Sequence, residues 1–452
     1  MPTRPGMPQD SSLQSAVRRV KTRVLPLFVV MFIVNYIDRV NIGFVRNHLE
    51  INLGIGAAAY GLGAGVFFLG YALFEVPSSM LMQRFGARVW LTRIMLTWGL
   101  AAMAMAFVRN ENEFYICRFI LGVAEAGFFP GVTYYFTQWL PANERAKAMA
   151  VFIGGSAFAS VIAGPVSGLL LQLRGLGMQG WQWMFLVEGF ASVLLCLLVW
   201  KVLDSYPRDA KWLSHEEKSA LSRVIAREQQ EREASRGAHL PTLKLLADKQ
   251  ILLFCFLFFT IAQNVYGVTF WLPSMIRGLG SLSDIQVGLL NSIPWLIAIV
   301  AMYSFAVMAG KWLTPQIWLS ISLIIAAAGL FVSTLGGPLF GFIAICFAAI
   351  GFKSATAMFW PIPQAYLDAR VSAAVLALVN AVGTLGGFVS PSMFGILEQK
   401  TGSIQGGIYI LAATSLLAAV LALWSRTKPS GVTSASPDWV PSGGPKEVKP
   451  TT

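Results

Sequence analysis

Twelve separate runs of mostly apolar residues divide this sequence, and that pattern excludes nearly every soluble fold. A helix needs about 20 such residues to cross the hydrocarbon core of a bilayer. Only helices and closed barrels satisfy their own backbone hydrogen bonds there. The runs fall near residues 24–45, 60–82, 89–107, 114–137, 148–172, 183–203, 249–272, 287–310, 315–335, 340–363, 372–396 and 406–425. They predict an all-α membrane protein with twelve transmembrane helices in two six-helix halves. One long polar segment separates the sixth run from the seventh. Its stretch DSYPRDAKWLSHEEKSALSRVIAREQQEREASR mixes charges in a helix-forming composition and reads as an amphipathic linker on the membrane surface.

The resulting division has five parts. A polar N-terminal tail covers 1–23, the first half 24–203, the linker 204–248 and the second half 249–425. Residues 426–452, rich in Pro, Ser and Gly, read as a disordered tail.

Composition agrees with this reading. Of 452 residues, 56% are hydrophobic and 12% charged, against about 25% charged in soluble domains. The net charge of +12 does not indicate nucleic acid, because the basic residues form short clusters between apolar runs. Arg18, Arg19, Lys21 and Arg23 precede the first run, Arg84 and Arg88 follow the second, and Arg145 and Lys147 follow the fourth. Lys311, Arg370, Arg426 and Lys428 fall on the same side. The other side carries only scattered cations such as Arg46, Arg109, Arg174, Arg277 and Lys400. The positive-inside rule therefore predicts cytoplasmic termini and a cytoplasmic linker in a multi-pass membrane protein. Cys117, Cys196, Cys255 and Cys346 lie in apolar runs without the close spacing of a metal site. His48, His215 and His239 fall in expected loops, and neither metal nor other cofactor is expected. No cleavable leader is expected either, since no small-residue cleavage site follows the first apolar run.

Ionisable residues inside the runs carry the functional information, since each costs about 2.5–3.5 kcal/mol at a helix centre on insertion scales. The inner ones are Asp38, Arg39, Glu75, Arg118, Glu125, Glu188 and Lys353, while Arg93 lies near the linker-side end of its run and can snorkel. Asn35, Asp38 and Arg39 have the i, i+3, i+4 spacing of one polar stripe. In YICRFILGVAEAGFFPG, Arg118 and Glu125 are two turns apart on one face, about 10 Å along the axis. Gly122 leaves space between them, and Pro130 permits a bend just beyond. Internal ion pairs that fix helix packing would also account for these charges. Glu75 reads equally as structural or functional, Glu188 as a packing or capping residue. Lys353 either snorkels or meets an anion. The GLGAG run at 61–65 lies within a spanning helix and reads as close helix packing, not a nucleotide loop.

NYIDRVNIGF, FFLGYALFEVPSSML, RFGAR, RFILGVAEAGFFPG and VYGVTFWLP resemble the anion:cation symporter branch of the major facilitator superfamily, over about residues 20–425. The resemblance implies the major facilitator fold and proton-coupled carriage of tartrate-, phthalate- or sugar-acid-like carboxylates. It implies Asp38 and Glu125 as proton-coupling carboxylates, with Arg118 tied to coupling. It implies Arg39 and Tyr71 as substrate contacts, and by looser local matches Asn264, Tyr266 and Asn380. Two features depart from the superfamily pattern: Gln83 stands before Arg84 where an Asp is usual, and MAGKWLTPQ has only Lys311 as a charge.

The expectation is a secondary active transporter and not an enzyme, since the loops hold no catalytic constellation. Its partners would be a small organic anion, protons and the bilayer, with no nucleic acid, and it would act as a monomer. A nutrient sensor signalling through the linker and a uniporter are the alternatives.

Overall fold

The computed structural model describes residues 8–234, 248–309, 313–367 and 372–425. Twelve helical spans are long and apolar enough to cross a membrane. In the first half, spans 1 to 6 are Ser11–Leu53, Ala57–Phe85, Ala87–Phe107, Glu111–Trp139, Ala142–Leu170 and Gly180–Val202. In the second, spans 7 to 12 are Lys249–Arg277, Asp284–Ala309, Pro315–Val332, Pro338–Tyr366, Val375–Thr401 and Gln405–Ala422. Each expected window lies within or close to one span. The chain is therefore a multi-pass, all-helical membrane protein.

The spans extend beyond the windows because helices continue past the hydrocarbon core with polar turns. His48 accordingly lies in the helix Ile42–Leu53 and not in a loop. Span 4 is interrupted between Glu125 and Phe128, where Gly127 adopts φ +87°. The break falls three residues before Pro130.

Buried apolar side chains reveal where the halves join. One core runs through the first half and continues into the second through Phe270, Trp271, Phe342 and Phe394. These residues lie toward the end away from the linker, called here the outer end. At the linker end the second half has a separate core, with Phe254, Trp318, Phe359 and Tyr366. The halves thus share a core toward the outer end.

Glycines make that join close. A Cβ on Gly164 of span 5 would lie 2.2 Å from the carbonyl oxygen of Gly288 in span 8. One on Gly61 of span 2 would lie 2.2 Å from the carbonyl oxygen of Pro391 in span 11. Backbone thus meets backbone at both crossings, the device by which small residues let membrane helices approach. Ion pairs lock the same end. Arg46 pairs with Glu398, which also accepts from Trp271 Nε1. Asp284 accepts from Arg277 and faces His48.

The polar N-terminal tail contains a helix, Pro8–Arg23, that docks on the linker. Ser15 donates to Glu217 at 2.7 Å, Arg19 donates to the Trp212 carbonyl at 2.9 Å, and Trp139 stacks on Trp212. The linker contains the helix His215–Ala234, whose Glu228 accepts from the Ala142 N–H. His239, Lys311, Arg370 and the tail 426–452 lie outside the described residues.

Candidate functional site

Asp38 and Arg39 are adjacent on span 1, so about 100° of helix rotation separates them. They point to different neighbours and do not form the single stripe that their spacing with Asn35 predicts. Arg39 Nη2 donates to Glu125 Oε1 of span 4 in a short ion pair. Its Nη1 donates to the Tyr266 hydroxyl of span 7 at 3.4 Å. The guanidinium lies over the Tyr71 ring at 5.1 Å and the Phe67 ring at 5.5 Å. Spans 1, 2, 4 and 7 therefore converge on one cation, with Tyr266 contributed by the second half. The side chains are 14% exposed for Arg39 and 1% for Glu125. Arg39 Nε and Glu125 Oε2 are buried without a hydrogen-bond partner.

Asp38 turns the other way. Its Oδ2 accepts from Trp98 Nε1 of span 3 and from Ser192 of span 6, each at 2.8 Å. One turn along, Glu188 accepts from Asn41 at 2.7 Å and from Ser167 at 3.0 Å. Spans 1 and 6 thus form two polar rungs, Asp38–Ser192 and Asn41–Glu188. Of the packing and capping readings of Glu188, these bonds agree with packing, since they tie span 6 to spans 1 and 5. No ion pair joins either carboxylate to a cation among the described residues.

Arg118 does not pair with Glu125, whose carboxylate is taken by Arg39. It lies fully buried, with Nε 3.3 Å from the Gly63 carbonyl and Nη2 3.4 Å from that of Ala64, over the Phe67 ring. The close approach of span 2 makes this possible, since a Cβ on Gly122 would lie 2.1 Å from the Phe67 carbonyl.

A site buried between two six-helix halves is the architecture of a carrier, and residues 27–391 match the family model described as Major Facilitator Superfamily. The chain belongs to the Major Facilitator Superfamily. This facilitator is 41% identical over 410 residues to the quinolone resistance transporter of Acinetobacter baumannii, covering 90% of this chain and 94% of that one. It is 38% identical over 434 residues to a putative tartrate transporter of Agrobacterium vitis, covering 95% and 99%. Its fold matches a bacterial homolog of the human lysosomal transporter Spinster in an inward-facing, occupied conformation. That TM-score is 0.73 at 16% identity, over 90% of this chain and 97% of the other.

Within the facilitator, the other expected residues divide by position. Tyr71 and Tyr266 lie against Arg39. Asn264 does not: its amide donates to the Thr260 carbonyl and to Ser415 of span 12, both at 2.8 Å. Asn264 thus ties spans 7 and 12 together. Asn380 of span 11 reaches Glu75 of span 2 at 3.4 Å, a contact between the halves. Lys353 projects toward the Trp295 and Tyr36 rings at 5.0 and 5.8 Å. Sequence reasoning missed Phe67, Trp98, Ser192 and the outer pair Arg46–Glu398. Trp98 and Phe67 carry no distinguishing signal, since an aromatic in an apolar helix has the pattern of a packing residue.

Proposed function

We propose that this facilitator is a proton symporter for small organic anions, working by alternating access in the bacterial inner membrane with cytoplasmic termini. The Arg39–Glu125 ion pair carries the proposal. A carboxylate of the protein occupies the arginine that a substrate carboxylate would need. Protonation of Glu125 removes its charge and frees the guanidinium, whose fork of donors matches a carboxylate. Substrate binding and protonation then favour each other. Tyr71, Phe67 and Tyr266 wall the guanidinium. Asp38, held by an indole and a hydroxyl, is the second proton-holding carboxylate, and Arg118 fixes the span 2–span 4 contact that positions Glu125. The name of the Agrobacterium vitis relative, a putative tartrate transporter, supports the anion class.

Two measurements in proteoliposomes test the reading. Uptake should follow a proton gradient and persist when sodium is removed; collapse without sodium, with the proton gradient intact, contradicts it. Glu125→Gln retains the size of the protonated acid but cannot release a proton. It should exchange labelled for unlabelled anion yet fail to accumulate it. Wild-type accumulation by Glu125→Gln would remove Glu125 from the mechanism.

The Acinetobacter baumannii relative supports a second reading, proton-driven export of a drug-like molecule. Antiport reverses the linkage: substrate then displaces a proton instead of binding with one.

A further inference from the structure

We infer that Lys353 is a second anion contact of the proposed site, supplied by the second half, and that it makes short dicarboxylates the preferred substrates. The inference rests on the anion reading above and adds to it a residue and a charge class.

Lys353 lies near the middle of span 10, thirteen residues from one end and fifteen from the other. Every other charged residue described within the spans of the second half, namely Lys249, Arg277, Asp284, Glu398 and Lys400, lies within four residues of a span end. A lysine at that depth is costly to insert and is characteristically turned toward a cavity or a partner. Snorkelling to the membrane surface does not describe it. The ammonium lies over the rings of Trp295 and Tyr36, which are 3% and 7% exposed.

Tyr36 belongs to span 1, so the ammonium reaches across the boundary between the halves. Tyr36 also precedes Arg39 by three residues, which places the two rungs about one helical turn apart on that span. Three intramembrane carboxylates of the first half are engaged elsewhere: Glu125 on Arg39, Asp38 on Trp98 and Ser192, and Glu75 on Asn380. No ion pair joins Lys353 to a carboxylate among the described residues. Two ring faces attract the ammonium without engaging its N–H donors as a carboxylate would, and those three donors can serve a ligand.

In this assignment a substrate with two carboxylates engages both cations. One carboxylate replaces Glu125 on Arg39 of the first half, and the other meets Lys353 of the second. The ligand itself then draws span 1 and span 10 together, coupling occupancy to movement of the halves. A monoanion satisfies one cation and leaves the other as it was.

The test measures binding to the purified full-length chain with matched probes, succinate against butyrate and phthalate against benzoate. Wild type should bind each dianion at least tenfold more tightly than its monoanion. Lys353→Met should lower that ratio toward one, chiefly by weakening the dianion, and Lys353→Arg should restore most of it. A wild-type ratio near one overturns the assignment. So does a ratio unchanged in Lys353→Met, or equal weakening of both probes. Binding of none of the four overturns the anion reading with it, whereas binding without charge preference overturns only the role of Lys353. Thermal melts of both variants establish that a lost ratio is not lost folding.

Discussion

Arg39 has five N–H donors in a planar fork, and its partners are Glu125, Tyr266 and two aromatic faces. A substrate carboxylate that takes the place of Glu125 gains charge-assisted, potentially bidentate contacts. Hydrogen bonds to charged groups contribute about 1.5–3 kcal/mol. Arg39→Ala should therefore weaken anion binding more than tenfold, and Arg39→Lys should recover only part, because a compact ammonium loses the fork geometry. Unchanged affinity in a folded Arg39→Ala, measured by calorimetry, would make Arg39 a packing residue. At this scale the sequence revealed which residues are charged but not where they point. Asp38 and Arg39 are legible as intramembrane charges, yet their separation by 100° on the helix sends one to span 6 and the other to span 4. Asn264 shows the same gap: its type and span were right for a binding residue, but Ser415, distant in sequence, holds it.

Helix crossings operate at the next scale. Spans 5 and 8 meet backbone to backbone at Gly164 and Gly288, and span 2 meets span 11 at Gly61 and Pro391. A side chain at either place has no flexible neighbour to displace, and such overpacking costs about 1–3 kcal/mol. Gly164→Val should therefore push the outer ends apart. Spin labels at Leu173 and Ser283, both exposed near the outer ends of spans 5 and 8, would read the separation. A longer distance in the variant is the expected result, and an unchanged one would mean that the crossing is not what holds the end closed. The spans themselves were legible because apolar runs of sufficient length have few other uses. Which span packs against which was not, because a glycine in an apolar helix records that something approaches without recording what. The N-terminal helix illustrates the same point, since its docking depends on Trp212 and Glu217, distant linker residues.

At the scale of the molecule, the halves share a core toward the outer end and have separate cores at the linker end. The Arg46–Glu398 ion pair and the His48–Asp284 contact join the halves at the closed outer end. Opening it requires breaking these contacts, so their loss has to be offset by contacts formed elsewhere in the cycle. In the proposed cycle the central site supplies that link: a proton on Glu125 releases Arg39, and the anion fills the vacated position. The most direct measurement is the number of protons exchanged when an anion binds, obtained by calorimetry in buffers of different ionisation heat at neutral pH. Linkage predicts uptake of about one proton per anion in wild type and about none in Glu125→Gln. No uptake in wild type, or equal uptake in Glu125→Gln, would contradict the account, and proton release would favour export.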